Sequence, residues 1–121
     1  MWRANVQDCI FCKIVRGEIP AKKVYEDDDV LAFHDIHPQA PVHFMLIPKR
    51  HIGSLADATP DDAAVLGKML ALAGPLAREQ GSPDGFRTIV NTGRIGRQDV
   101  MHVHLHVLGG TVPFGRMLPQ G

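Results

Sequence analysis

The stretch His102-Val103-His104-Leu105-His106 alternates histidine with aliphatic residues, runs on through Val107 and Leu108, and stops at Gly109-Gly110. A period of two is the period of a β-strand, so the three imidazoles take one face and Val103, Leu105 and Val107 the other. Same-face neighbours on a strand stand roughly 6.5–7 Å apart, too far for one metal ion to take all three rings without distortion. The spacing suits a division of labour in which one ring ligates, one attacks and one handles a proton or a charge. A solvated strand face that merely carries histidine is the plain alternative. Such faces use Thr, Lys or Glu more often, and a buried histidine must find a partner.

The chain has 121 residues, the size of one domain with one core. The expected organisation is a single domain over 1–121, with a core at about 8–110 and an irregular Pro/Gly-rich arm at 111–121. Lys plus Arg equals Asp plus Glu at 13 each, so no basic excess is available for a nucleic-acid backbone. No apolar run approaches membrane-spanning length, and the opening Met1-Trp2-Arg3-Ala4-Asn5 lacks the apolar stretch of a signal peptide. Neither nucleic acid nor membrane is expected as a partner, and the expected compartment is the cytoplasm.

Residues 8–17 read as a short helix, with Asp8 as N-cap, an apolar stripe of Ile10, Phe11 and Ile14, and Gly17 as the stop. Strands are expected over 22–26 and 30–35, joined at Asp27-Asp28-Asp29. That triple aspartate reads as a solvated hairpin turn rather than a calcium loop, because no glutamate follows at loop spacing. Residues 43–48 are almost continuously apolar and predict a central strand. Thr59-Pro60-Asp61-Asp62 starts a helix, along which Val65, Leu66, Met69, Leu70, Leu72, Ala73 and Leu76 fall at helical spacing as core residues. Pro75 should kink this helix near 71–74, and Gly81 should cap it. A strand over 86–91, a glycine-punctuated loop and the histidine strand follow. Five strands in runs with two helices predict an α+β fold with an antiparallel sheet.

Cys9 and Cys12 form a Cys-x-x-Cys pair with no strand before it, which favours metal over thioredoxin-like exchange. With His51 and His102 they make the two-thiolate, two-imidazole set that zinc prefers in a closed structural site. His51 alone also reads as a surface residue beside Lys49 and Arg50. If His102 is structural, His104, His106 and His43 remain for chemistry. A neutral imidazole attacks phosphorus well when its other N–H is held by an acceptor, and the remaining two rings would bind non-bridging oxygens or help protonate a leaving group. His43 alone reads equally as a buried, satisfied strand histidine. Asp35, at a strand end, is placed to accept two ribose hydroxyls. Asn91 and Gln98 flank a glycine loop whose backbone N–H groups can face a phosphate. No P-loop or dinucleotide-binding glycine motif is present.

These residues resemble the histidine triad family, His-x-His-x-His with hydrophobic x. Beyond that strand, Cys9-Ile10-Phe11-Cys12-Lys13-Ile14, Gly17-Glu18-Ile19-Pro20-Ala21, Ala32-Phe33-His34-Asp35-Ile36, Pro38-Gln39-Ala40-Pro41, His43-Phe44, Ile47-Pro48-Lys49, His51-Ile52 and Leu108-Gly109-Gly110 all look like its zinc-bearing Hint branch. The resemblance spans about residues 8–110. It implies a hydrolase acting at the α-phosphate of purine nucleotides, cleaving nucleoside phosphoramidates at P–N and releasing AMP. It implies His104 as the nucleophile that becomes nucleotidylated, with His106 and His43 completing the phosphate site. Asp35 would hold the ribose, and Ile10, Phe11, Ile14, Ile19, Phe33, His34 and Ile36 would surround the base. Asn91, Gln98 and Asp99 would line the phosphate and leaving-group side. One zinc per subunit at Cys9, Cys12, His51 and His102, and a homodimer whose sheets join into ten strands, are further implications.

Three departures from the family pattern matter. Asp99 stands where many Hint proteins have a serine; a carboxylate there would repel an anionic leaving group and favour a cationic amine. Arg97 replaces a small residue in the phosphate loop. The tail lacks the tryptophan-containing end of the eukaryotic proteins. Two other readings stay open: hydrolysis of dinucleoside polyphosphates at the same site, and a nucleotide-binding or interaction module with little turnover. A purely zinc-stabilised scaffold would not require His43, His104 and His106 together with Asp35.

Overall fold

The computed structural model describes residues 9–117. Five strands and two helices follow in the order α1 (Ile10–Val15), β1 (Lys23–Glu26), β2 (Val30–His34), β3 (Val42–Pro48), α2 (Ala63–Glu79), β4 (Arg87–Ile89) and β5 (Leu105–Gly109). A 3-10 turn at Pro60–Asp62 leads directly into α2. All strand pairs are antiparallel, in the spatial order β1-β2-β3-β5-β4. The α+β expectation is therefore met, with the apolar 42–48 strand at the centre.

That strand is apolar except for His43, because both of its faces are covered. On one face Val42, Phe44 and Leu46 join Val30, Ala32, Val103, Leu105 and Val107 against Met69, Ala73, Leu76 and Ala77 of α2. On the other, Met45 and Ile47 join Leu31 and Phe33 against Phe11, Cys12 and Ile14 of α1. The β3–β5 register sets Met45 opposite His106 and His43 opposite Leu108. His43 and His106 are thus diagonal neighbours on the α1 face, where long side chains can meet.

Several boundaries differ from expectation. The expected cap Asp8 lies outside the described residues; Cys9 takes the N-cap position, its sulfur accepting from the Cys12 N–H at 3.3 Å. Gly17 ends the helix segment with φ +79°, a left-handed conformation that only glycine adopts freely. Phe11 and Ile14 are buried as expected, but Ile10 is exposed. The ladder of β5 starts at Leu105, so His102 and His104 precede it rather than standing in it. The cause is a different set of backbone partners: Val103 N–H donates to Ile52 O at 2.8 Å and His102 N–H to Val100 O at 2.9 Å. The alternation of faces survives, since Val103 packs with the α2 core while His102 and His104 ring-stack edgewise on Phe11.

The strand expected at 86–91 pairs only over Arg87–Ile89. Helix α2 runs unbroken through Pro75, which sits on its exposed side. Leu70, expected in the core, is 59% exposed, and Ala77 is buried in its stead. The buried stripe follows 69, 73, 76 and 77, and Leu70 lies one residue off it. The aspartate turn is a side-chain-capped hairpin: Asp27 Oδ1 accepts from the N–H groups of Asp29 and Val30, and Lys68 of α2 reaches Asp27 at 2.7 Å. Among the described residues, no helix is long and apolar enough to cross a membrane.

Candidate active site and metal cluster

The short helix α1, the loop after β3 and the segment before β5 bring four side chains of metal-ligating type together. Cys9 Sγ, Cys12 Sγ, His51 Nδ1 and His102 Nδ1 all lie within 4.8 Å of one another. The sulfur–nitrogen separations are 3.3 Å for Cys9–His102, 3.3 Å for Cys12–His51 and 3.6 Å for Cys12–His102. Tetrahedral coordination with ordinary zinc bond lengths calls for about 3.6 Å along such an edge, so the set fits a four-coordinate ion. The tautomer fits as well. His102 Nε2 lies 2.8 Å from Pro48 O, a carbonyl that can only accept, so Nε2 carries the proton and Nδ1 turns its lone pair to the sulfurs. Burial pushes the His102 imidazole down to about 4, against the opposing Pro48 bond. Burial, with Cys9 alongside, pushes the Cys12 thiol up to about 12. A bound cation reverses that preference and takes the thiolate.

The second cluster lies further along the same face. His104 Nδ1 is 2.8 Å from His102 O and must donate to it, which leaves Nε2 as the nitrogen with a free lone pair. The sequence requires such an acceptor without identifying it; the acceptor is the carbonyl two residues back. The His104 ring makes edge contacts with Phe11 at 5.1 Å and with His106 at 5.0 Å, so it is packed between the two. Phe11 also contacts His102 and Phe33 edgewise, joining the cysteine–histidine cluster, His104 and the cleft lining through one ring.

His43 and His106 form a directed chain. The Gln39 backbone N–H can only donate, and it reaches His43 Nδ1 at 3.0 Å. The His43 proton therefore sits on Nε2, which donates to His106 Nδ1 at 2.9 Å. His106 in turn carries its proton on Nε2 and presents a donor. Burial lowers both rings, opposed at His43 by Asp35, so the neutral forms this chain requires are favoured. Asp35 Oδ2 lies 3.4 Å from His43 Nε2, and its Oδ1 accepts from the His37 N–H at 2.8 Å. Asp35, His43 and His106 also bring one ligand atom each within 4.8 Å. A metal there would need His43 Nε2 unprotonated while Gln39 occupies Nδ1 as a donor, and a neutral ring cannot satisfy both.

A cleft of about 890 Å³ opens beside His43, the one of these rings that lines it. Ile10, Phe11, Ile14, Ile19, Phe33, His34, Asp35 and Ile36 all line it, as does His43. Apolar side chains on one side and a carboxylate near the histidines suit a flat base and its ribose. Asn91 is half-buried just after β4. Gln98 lies in the loop, but its side chain is committed within the chain: Nε2 donates to Gly53 O at 2.8 Å and Val100 O at 2.9 Å, and Oε1 accepts from Gly93 N–H at 2.9 Å. The loop's tightness explains Gly96, where a Cβ would lie 2.6 Å from the Thr92 backbone. Asp99 extends from it, with Oδ1 3.5 Å from His104 Nε2. What sequence reasoning missed are backbone atoms (Gln39 N–H, His102 O and Pro48 O), and no side-chain pattern marks their roles.

Comparison with known proteins agrees with this geometry. The HIT domain family matches residues 16–112. The purine nucleoside phosphoramidase of Escherichia coli is 46% identical over 113 residues, covering 93% of this chain and 94% of that protein. A HIT family hydrolase from Legionella pneumophila superposes with a TM-score of 0.83 at 46% identity, covering 93% of this chain and 99% of the other. A zinc-bound histidine triad family protein from Mycobacterium smegmatis superposes with a TM-score of 0.75 at 35% identity, covering 88% and 78%. By sequence and by fold, this chain belongs to the HIT family of hydrolases.

Proposed function

We propose that this chain is a nucleoside phosphoramidase, cleaving the P–N bond of purine nucleoside phosphoramidates through a nucleotidyl-His104 intermediate. The observation that carries the reading is the His104 ring. Its Nδ1–H is held by His102 O, so Nε2 is free to attack in a clamped orientation. Nε2 forms a bond to the α-phosphorus as the P–N bond breaks, and the amine leaves with a proton drawn from solvent. The His106 Nε2–H, aimed by His43 and Gln39, donates to a non-bridging oxygen as charge builds. Water then attacks phosphorus, returns a proton, and releases the nucleoside monophosphate and His104.

Asp35 is assigned to the ribose and the apolar cleft residues to the purine. Asn91 and the backbone of the Gly93–Gln98 loop are assigned to the phosphate side. Zinc is proposed for the cysteine–histidine cluster, supported by the edge lengths and by the zinc-bound relative. All four ligand positions would be protein atoms, so zinc there fastens α1 to the segment before β5 and offers no open site for chemistry. The chain is read as a single HIT domain that forms a homodimer in the cytoplasm. A reducing compartment keeps Cys9 and Cys12, both free thiols here, available as ligands.

The test is release of AMP from adenosine 5′-phosphoramidate, with a diadenosine polyphosphate as the competing substrate. The reading expects AMP and amine from the first at a higher kcat/KM. Faster turnover of the polyphosphate would move the assignment to that substrate class.

A further inference from the structure

The attacking nitrogen of His104 is covered in this structure. The His104 side chain is 2% exposed, with Phe11 on one side and His106 on the other. Over Nε2 itself lies the Asp99 carboxylate, at 3.5 Å. The Asp99 side chain is 83% exposed, so it is free to turn. Its backbone is held: Gln98 beside it is tied to Gly53, Val100 and Gly93. A mobile carboxylate thus sits on a fixed base, in the place where an α-phosphate has to come.

We propose that Asp99 is an anionic gate on His104: the entering α-phosphate must displace its carboxylate, and the displaced charge then selects leaving groups by their own charge. The inference rests on the phosphoramidase reading for its second half only. His104 has committed its Nδ1 proton to His102 O, so the neutral ring offers Asp99 no hydrogen at Nε2. The separation also exceeds that of a charge-assisted hydrogen bond, so the contact yields readily to a phosphate. Once turned aside, the carboxylate remains tethered within a side-chain length of the reacting phosphorus. There it repels a second anion and attracts a cation. The substrate class this favours is the phosphoramidate of an amine carrying a further positive charge, over one carrying a carboxylate or additional phosphates.

The experiment compares the wild-type protein with Asp99→Asn and Asp99→Glu. AMP affinity is measured by calorimetry. Hydrolysis is measured on adenosine phosphoramidates of 1,2-diaminoethane, propylamine and β-alanine, which are cationic, neutral and anionic. Asp99→Asn is expected to bind AMP about fivefold more tightly, the size of one like charge at 4 Å through water. Its preference for the cationic over the anionic amine should collapse, while Asp99→Glu should keep both wild-type properties. An unchanged AMP affinity or an unchanged preference in Asp99→Asn overturns the proposal. If the wild type hydrolyses none of the three amides, the phosphoramidase reading fails, and the AMP affinities still decide whether Asp99 gates His104. Thermal unfolding checks that this exposed substitution leaves the fold intact.

Discussion

Two carbonyls and one amide N–H decide what the histidines can do. Pro48 O leaves His102 with its Nδ1 lone pair turned to the sulfurs, His102 O leaves the lone pair of His104 on Nε2, and the Gln39 N–H, acting through His43, leaves His106 with a proton on Nε2. The same residue type is steered to three roles by which nitrogen is already occupied. The side chains of this arrangement were readable from the sequence, because alternation puts the rings on one side. The backbone partners were not, because every residue carries the same amide. Arg97 shows another backbone effect. It adopts φ +60°, the left-handed region, as a non-glycine residue. Relieving that conformation with Arg97→Gly is expected to stabilise the protein by about 0.5–1 kcal/mol, net of glycine's greater freedom in the unfolded chain. A denaturant titration of the two forms checks it.

At the scale of elements, the site depends on a six-residue helix, α1, that is too short to be stable alone. Its attachment comes from the apolar contacts of Phe11 and Ile14 and from the cysteine–histidine cluster. Cys9→Ser should therefore abolish bound zinc and lower the melting temperature by several degrees or more, with a much smaller effect on kcat. Metal analysis and calorimetry test this, and unchanged zinc with unchanged melting would contradict it. The metal-free protein should also be acid-sensitive. The His102 pKa is lower in the folded state than in the unfolded chain, so the unfolded state takes up the proton first. Stability is full above the unfolded value near 6.5 and falls as the pH drops towards about 4. Chemical unfolding at pH 7 and pH 4 measures the loss, expected to be on the order of 3 kcal/mol. His43, His51 and His106 are lowered by burial too and act in the same direction. The central strand β3 was legible from its almost continuous apolar run. The start of β5 was not, since Ile52 O captures the Val103 N–H that a ladder would have used.

At the scale of the molecule, the sheet ends in β4, a three-residue strand paired only to β5 among the described residues. Exposed Phe86, next to that strand, lies 3.9 Å from where a Cβ of Gly74 would stand on α2, and exposed Leu70 is one turn before Gly74 on the same helix. An open edge next to an apolar band is the kind of surface a twofold partner covers, and this supports the proposed joining of two sheets into ten strands. It also gives a physical reason for Leu70, which helical spacing alone assigned to the core. Leu70→Glu should shift the protein from dimer to monomer in light scattering after size exclusion, and a wild-type protein that is already monomeric would sink the dimer. The central claim is chemical, and one comparison tests it most directly: AMP release from adenosine 5′-phosphoramidate by the wild type and by His104→Ala, with AMP binding measured on both. The account predicts release by the wild type alone, with AMP still bound by the variant. Sustained release by His104→Ala would contradict the covalent mechanism.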